Sequence, residues 1–550
     1  MAIHQVGNEL PETVALCGSR PTDVKPGGKE KEDLTGRDRL VSNVLYSWGT
    51  YLVFIVAGFI MPRMIDRRLG QDLLGIWDFA WSLVSYFELI QTGIGSSVSR
   101  YVARCRAMGD AHGVNCIVSS ATCLLGVGTL LVMGLTVLIA FLLPQLFGER
   151  LGESVIEAQW VVLFLGASLC ARILLGAFNG VLTGCHCWAL HNINTSVWHA
   201  MTVAWMVLAL LLGGGLWMLA AIVFVGEVLA GVTRTILAYR ICEHLRLRPS
   251  FVRWQTIADA FVFGGKTLLP SVSQILLNQA TSILIVGYLG PAALALYMRP
   301  QSLIRHVTIL TSRMATILTP TASALQSAAN LEGIQELLLT SVRYSFYMAA
   351  PIVLVLIVFG GPVMQLWMGP HYADGLVPAI LAAGFLMVMV QTPVRTILAG
   401  LNAHGRAGMG ELVASVGSIV AAVLALGTLR WGLAGIALAI TLPLALMNIV
   451  YLPVLIRRHI GLPVTEYFLS VAVKPAVHIL PFAACLAGAR VMFHARPLIG
   501  LISGGLAGTA MLAAIYWRYV LPNRIKIWVF GSPRKLMQLT GLSGAGEVTG

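Results

Sequence analysis

Long apolar stretches recur along nearly the whole chain, each about as long as a helix that crosses a membrane. Such a helix needs about 20 consecutive, mostly apolar residues to span the hydrocarbon core. Fourteen stretches meet this requirement, and short turn-forming joints such as Gly213-Gly214-Gly215 separate them. They lie at roughly 41–62, 76–97, 115–143, 158–182, 193–213, 216–238, 261–288, 292–320, 343–367, 377–400, 408–428, 432–456, 470–493 and 497–521.

The composition agrees with this reading. Hydrophobic residues make up 57% of the 550 residues and charged residues only 11%, whereas an ordinary soluble protein carries roughly 25% charged residues. The chain therefore lacks the polar surface of a soluble multidomain protein. The sequence predicts an all-α fold, a polytopic membrane helix bundle of about 14 transmembrane helices.

The loops and tails orient the bundle. The polar segment 1–40 is predicted to be a disordered tail, and 522–550 is predicted to be a second tail. Arg and Lys accumulate in alternate loops when the N-terminus is placed inside, as the positive-inside rule requires. We therefore expect both termini to be cytoplasmic, with an even number of spans between them.

A repeat divides the apolar region. Leu69-Gly70 recurs as Leu289-Gly290, with an offset of 220 residues, and the same offset relates Gly180 to Gly400. Transporters are often built from repeated halves. The repeat predicts two six-helix lobes, 41–240 and 259–458, around a central cleft.

Two more predicted helices, at 470–521, follow the second lobe. Each repeat contains an even number of spans, so the two are expected to have parallel topology. The chain has nine cysteines without a disulfide framework, and we expect neither a cofactor nor a metal ion.

Several basic side chains fall inside predicted spans, where an ionisable group costs about 3 kcal/mol and normally faces a cavity or a partner. Arg234 and Lys474 lie near predicted inner ends, where they are expected to snorkel to the headgroups. Span eight instead carries a polar face at helical spacing. An anionic substrate would be bound by six basic residues, Arg172, Lys266, Arg299, Arg305, Arg313 and Arg395.

Acidic residues supply a second set of candidates. Span two carries Asp78 and Glu88 beside a row of serines, and Glu227 lies in span six. We predict Asp78, Glu88 and Glu227 as candidates for ion or proton coupling. The alternative is that these carboxylates pair with the embedded arginines and fasten helices together.

One segment resembles a known family. The pattern is Leu69-Gly70-x4-Gly75-Ile76-Trp77 followed by Gly93-x-Gly95-Ser96-Ser97-x-x-Arg100-Tyr101-x-Ala103. It resembles the first helical pair of Wzx-type polysaccharide-export flippases, which move lipid-linked oligosaccharides. These flippases belong to the multidrug/oligosaccharidyl-lipid/polysaccharide exporter superfamily.

The resemblance implies a multi-pass transporter of a bacterial cytoplasmic membrane that works by alternating access in polysaccharide biosynthesis. It implies a two-lobed bundle whose cationic lumen binds the pyrophosphate of a polyprenyl-linked glycan. The expected partners are this anionic substrate, a coupling proton or sodium ion, and other polysaccharide-assembly membrane proteins, but no nucleic acid. The chain is not expected to be an enzyme.

Three alternatives remain open from the sequence. A cation-coupled multidrug exporter of the same superfamily would favour an acidic or aromatic cavity. A peptidoglycan-precursor flippase would handle similar chemistry. A membrane glycan polymerase or ligase would be expected to place catalytic residues on a large outer loop, and the predicted outer loops are short.

Overall fold

The computed structural model describes residues 40–242, 244–315 and 318–521, and every element within them is helical. The predicted tails, 1–40 and 522–550, lie outside the described residues apart from Leu40, where the first helix begins. The first ten helices are α1 Leu40–Leu69, α2 Gln71–Ser85, α3 Leu89–Ala107, α4 Ala111–Leu151, α5 Val155–Leu174, α6 Ala177–Gly184, α7 Trp188–Leu211, α8 Leu216–Ile241, α9 Trp254–Leu289 and α10 Pro291–Ala315.

Ten further helices follow, several joined by short π-helical segments. They are α11 Leu318–Ser327, α12 Leu331–Met368, α13 Leu376–Val390, α14 Thr392–Gly400, α15 His404–Gly427, α16 Gly432–Leu446, α17 Leu452–Ile460, α18 Val464–Phe468, α19 Lys474–Met492 and α20 Pro497–Ile515. The π segments are Met447–Tyr451, Leu469–Val473 and Tyr516–Val520.

Eleven helical stretches in the described residues are long and apolar enough to cross a membrane. One of them, Ala111–Leu174, covers the predicted span 115–143 and most of the predicted span 158–182. The predicted spans at 76–97 and 292–320 are not among the eleven, and these are the two that carry the charged faces. The all-α polytopic fold is therefore confirmed, while the count of 14 stays a prediction.

The helices sort into two compact units. The first contains the residues up to Met298 together with Glu411–Leu433, and the second contains Arg299–Gly410 and the residues from Ala434 onward. In the first unit α5 packs against α4 and α8, while α3 packs against α6 and α9. In the second, α12 packs against α13, α19 and α20. The predicted lobes follow the sequence repeat, which is a different division, and they stay a prediction.

Local geometry supports the repeat. Gly70 (φ 97°) ends α1 and Gly290 (φ 88°) ends α9, each in a backbone conformation that favours glycine. The N–H of Gly70 donates to the carbonyl of Asp66, and that of Gly290 donates to the carbonyl of Val286. The offset of 220 residues therefore relates these two hydrogen bonds as well as the two sequence segments.

The next joint repeats in the same way. Asp110 caps α4 by accepting a hydrogen bond from the Gly113 N–H at 2.8 Å. Asn330 caps α12 by accepting one from the Gly333 N–H, also at 2.8 Å. Both residues are favoured at helix N-termini because a side-chain oxygen satisfies a backbone N–H that has no partner in the helix.

The fourth predicted span is broken in both repeats. α5 and α6 are interrupted after Leu174, and α13 and α14 are interrupted at Gln391. A Cβ on Gly184 would lie 2.8 Å from the Ser99 carbonyl oxygen, and one on Gly400 would lie 2.6 Å from that of Thr319. Gly400 therefore corresponds to Gly184, and the predicted match with Gly180 is wrong by one helical turn.

Substitution of Gly75 tests the close contact between α2 and the start of α10. A Cβ at Gly75 would overlap the backbone carbonyl of Pro291, whereas one at Gly134 meets no atom within 4 Å. Because overpacking costs about 1–3 kcal/mol, Gly75→Ala is expected to lower the unfolding temperature of the purified protein. Gly134→Ala is the control and should leave it unchanged or raise it; equal unfolding temperatures for the two variants would contradict the packing.

Candidate functional site

The predicted basic face of span eight lies on one continuous helix, α10, from residue 299 to residue 313. Arg299 is buried, with 4% of its surface exposed, whereas Arg305 and Arg313 are exposed. The Ser302 hydroxyl donates to the Arg299 carbonyl at 2.8 Å. We call Arg299, Arg305 and Arg313 the α10 arginines. The helix that carries them contains no acidic residue.

The acidic face of span two is interrupted. Asp78 lies in α2, and Glu88 lies in a 3₁₀ turn, Tyr86–Glu88, that separates α2 from α3. Ser82 is 3% exposed, and the Ser99 hydroxyl accepts a hydrogen bond from Thr183 at 3.0 Å. The sequence prediction placed Asp78 and Glu88 on one span, and the 3₁₀ turn changes the helical register between them.

Glu88 and Arg172 form an ion pair. Arg172 Nη2 donates to Glu88 Oε1 at 2.6 Å, with the two side chains 30% and 41% exposed. Arg172 lies in the last turn of α5, immediately before the interruption of the fourth span. The structure therefore joins one predicted substrate-binding residue to one predicted coupling residue, as the pairing alternative expected for such charges.

Arg395 is held differently at the matching interruption of the second repeat. Its Nη2 donates to Asn448 Oδ1 at 2.7 Å and its Nη1 to the Val388 carbonyl at 3.1 Å. Gln391, at the interruption itself, donates to the Asn448 carbonyl at 3.0 Å and accepts from the Tyr467 hydroxyl. Asn448 lies in the π segment Met447–Tyr451, and π segments frequently occur at functional sites.

The residue spacing of the chain did not predict this network. Gln391 and Asn448 are each 1% exposed and Tyr467 is also buried. A buried amide in an apolar span requires hydrogen-bond partners. The positions of Gln391 and Asn448 inside apolar spans therefore indicate that each has a polar partner. Their partners could not be assigned because the π segment shifts the helical register.

The remaining predicted residues occupy separate positions. Lys266 lies in α9, but its side chain is outside the described residues. Glu227 lies in α8 and is half-buried. Arg234, also in α8, is only 5% exposed, so the prediction that it snorkels to the headgroups is wrong. Lys474 is exposed at the start of α19.

The cysteines near the end of α6 form a close pair. The Sγ atoms of Cys185 and Cys242 lie 3.3 Å apart, and none of the eight described cysteines is in a disulfide. The hydrogen bond to Cys242, together with burial, raises the pKa of the Cys185 thiol. A raised pKa lowers the fraction of thiolate, which is the nucleophilic form of cysteine.

The amide of Asn448 is expected to stabilise the second unit through Arg395. In Asn448→Leu the half-buried guanidinium of Arg395 loses an acceptor, which costs about 1–3 kcal/mol. Adding Arg395→Met removes the donor as well and should recover part of this loss, because two apolar partners leave no group unsatisfied. Thermal unfolding of the four proteins of this cycle measures the effect, and strictly additive losses would contradict the coupling.

Two comparisons with known protein sequences found relatives of this chain. A family described as "Polysaccharide biosynthesis protein" matches residues 188–376. A curated relative, the uncharacterized membrane protein EpsK of Bacillus subtilis (strain 168), is 21% identical over 424 residues, which cover 75% of this chain and 82% of EpsK.

Two solved structures show the fold. The lipid II flippase MurJ in an inward closed conformation superposes with a TM-score of 0.67 and 12% identity, covering 87% of this chain and all of MurJ. An inward-facing MATE family multidrug transporter of the MOP superfamily gives 0.62 and 14% identity, covering 74% of this chain and 94% of the transporter. The chain thus has a fold similar to that of these two transporters, and its residues 188–376 match the model of a polysaccharide biosynthesis family, in agreement with the resemblance seen in the sequence.

Proposed function

We propose that this protein moves a polyprenyl-pyrophosphate-linked oligosaccharide across the bacterial cytoplasmic membrane by alternating access, for the synthesis of a surface polysaccharide. The proposal combines the polysaccharide biosynthesis match with the transporter fold. The basic side chains of the helices support a substrate that contains pyrophosphate.

The observation that carries the proposal is the density of basic side chains on α10. Its three arginines and His306 share a helix without Asp or Glu. Arginine binds phosphate with a planar, permanently charged fork of donors. Arg305 and Arg313 are exposed, so their guanidinium groups are accessible to a cargo. A pyrophosphate group matches this chemistry better than a neutral or cationic molecule does.

A multidrug exporter of cationic compounds is the less favoured function. It would need accessible carboxylates, and the described ion pair commits Glu88 to Arg172. A peptidoglycan-precursor flippase would carry the same pyrophosphate, so the charges on α10 suit it equally. The polysaccharide biosynthesis match at 188–376 is the observation that favours an oligosaccharide cargo.

For coupling, we propose that Glu88 takes up a proton and releases Arg172. The carboxylate accepts directly from the guanidinium, and a protonated carboxyl would no longer compensate that charge. Arg172 would then be available to a phosphate group. Asp78 and Glu227 stay candidates for the same role.

Alanine variants of the α10 arginines test the substrate proposal. Loss of one charge-assisted hydrogen bond, worth about 1.5–3 kcal/mol, is expected to slow transport about 10- to 100-fold at low substrate concentration. The measurement is the initial flipping rate of a polyprenyl-pyrophosphate-linked oligosaccharide in proteoliposomes. Arg150→Ala, an exposed arginine at the end of α4, is the control. Normal rates for Arg299→Ala, Arg305→Ala and Arg313→Ala at equal reconstitution would refute the proposal.

Glu88→Gln tests the coupling proposal separately. Because glutamine does not titrate, this variant should lose the response of the flipping rate to an imposed proton gradient. Glu153→Gln, in an exposed turn, should respond as the wild type does. A Glu88→Gln protein that responds fully to the gradient would exclude Glu88 as the proton acceptor and leave the substrate proposal untouched.

A further inference from the structure

Arg234 is a buried cation whose donors are incompletely used. It lies in α8, within the first unit, and is 5% exposed. Its Nε and Nη1 atoms find no hydrogen-bond acceptor among the described residues. A buried charge without a directly bonded counter-charge is strongly unfavourable. A group that persists under such conditions in a membrane protein commonly has a functional role.

Asn179 lies at the same level on the neighbouring helix. α5 and α8 run parallel, because Glu157 Oε1 accepts from the Leu216 N–H near their starts and Leu175 packs on Gly231 further along. Asn179 lies one turn beyond Leu175, in α6, and Arg234 lies about one turn beyond Gly231. Asn179 Oδ1 is also buried without a hydrogen-bond partner in the described chain.

His191 approaches Arg234 from a third helix, α7. Asn194 Nδ2 donates to the Ala230 carbonyl at 3.1 Å, and Thr202 packs on Gly226. These contacts make α7 and α8 antiparallel and bring His191 level with Arg234. His191 Nδ1 is buried and has no hydrogen-bond partner among the described residues.

The charged groups nearby do not neutralise Arg234 directly. Its electrostatic neighbours are Glu227 and Arg172. Glu227 lies two turns earlier on α8, and no ion pair joins it to Arg234 in the described structure. Arg172 is positive and is bonded to Glu88. Two donors of Arg234, Nε and Nη1, therefore stay without an acceptor among the described residues.

We propose that Arg234, His191 and Asn179 form a binding site for one small protonated oxyanion of the hydrogen phosphate class. Arg234 donates to its charged oxygens, while the Asn179 carbonyl or the unprotonated His191 nitrogen accepts from its hydroxyl. The mixture of free donors and free acceptors selects such a ligand over a phosphodiester or sulfate, which carries no hydroxyl at neutral pH. The site lies on α6–α8 and is separate from the α10 arginines.

The ligand could be inorganic phosphate or a phosphate monoester, and a phosphodiester lipid headgroup is excluded by the same chemistry. The test uses the full chain in phosphatidylcholine nanodiscs at neutral pH. Inorganic phosphate, a short alkyl phosphate monoester, dimethyl phosphate and sulfate are each titrated at constant ionic strength. Phosphate or the monoester should raise the unfolding temperature, and the stronger of the two identifies the source. Dimethyl phosphate and sulfate should have at least tenfold weaker effects.

Two arginine variants of α8 distinguish binding at this site from a general loss of positive charge. Arg234→Gln should weaken phosphate binding at least tenfold, while Arg240→Gln, at an exposed position of α8, should not. Asn179→Leu should weaken phosphate more than sulfate. Without ligand, Arg234→Gln should unfold at the wild-type temperature or above, because an incompletely bonded buried charge has been removed.

Three results would overturn the proposal: a wild-type response to phosphate no larger than to dimethyl phosphate, undiminished phosphate binding by Arg234→Gln, or a lower unfolding temperature of ligand-free Arg234→Gln. The last would make Arg234 a structural partner of Glu227, and Glu227→Gln should then destabilise the protein equally. His191→Phe and Asn179→Leu test phosphate binding independently of any change at Arg234. The proposed function requires Arg313 for transport, but the Arg313→Ala protein should still bind phosphate normally. The two proposals can therefore fail independently.

Discussion

The low polarity of the membrane interior governs how this chain uses its charges. A charged or amide side chain in that environment must find a partner, reach water or serve a ligand. Arg172 meets the requirement with a carboxylate and Arg395 with an amide and a carbonyl, while Arg305 and Arg313 are exposed. The same constraint explains why the predicted spans 76–97 and 292–320 are not among the eleven apolar stretches. Their charged side chains lower the mean hydropathy of these segments.

The interruptions in the helices are the second consequence of that constraint. A broken helix leaves backbone groups that need partners, so breaks are tolerated where protein covers them. The breaks at 86–88, after Leu174 and at Gln391 lie beside Glu88, Arg172 and the Asn448 network respectively. Discontinuous helices of this kind are typical of transporter binding sites.

Hydropathy and repetition in the sequence predicted the all-α polytopic fold and the matching joints at Gly70 and Gly290. Both signals depend on residue type at fixed spacing, which a single chain displays directly. The helix breaks escaped prediction because Leu174–Gly176 and Gln391 lie inside continuous apolar runs. The one-turn error at Gly180 has the same origin, since the second repeat is shorter there. The partner of Arg172 required a contact 84 residues away along the chain, and spacing alone could not choose between pairing and substrate binding.

The interrupted fourth span has a consequence that follows from its duplication. Both copies place an arginine within about one turn of the break, but a titratable carboxylate holds Arg172 and a non-titratable amide holds Arg395. The restraint on Arg172 is therefore an ion pair, whereas Arg395 donates to a neutral amide and a carbonyl. Two similar helix breaks thus differ by one functional group. Under the proposed coupling through Glu88, this difference would make the first break respond to protons while the second would not.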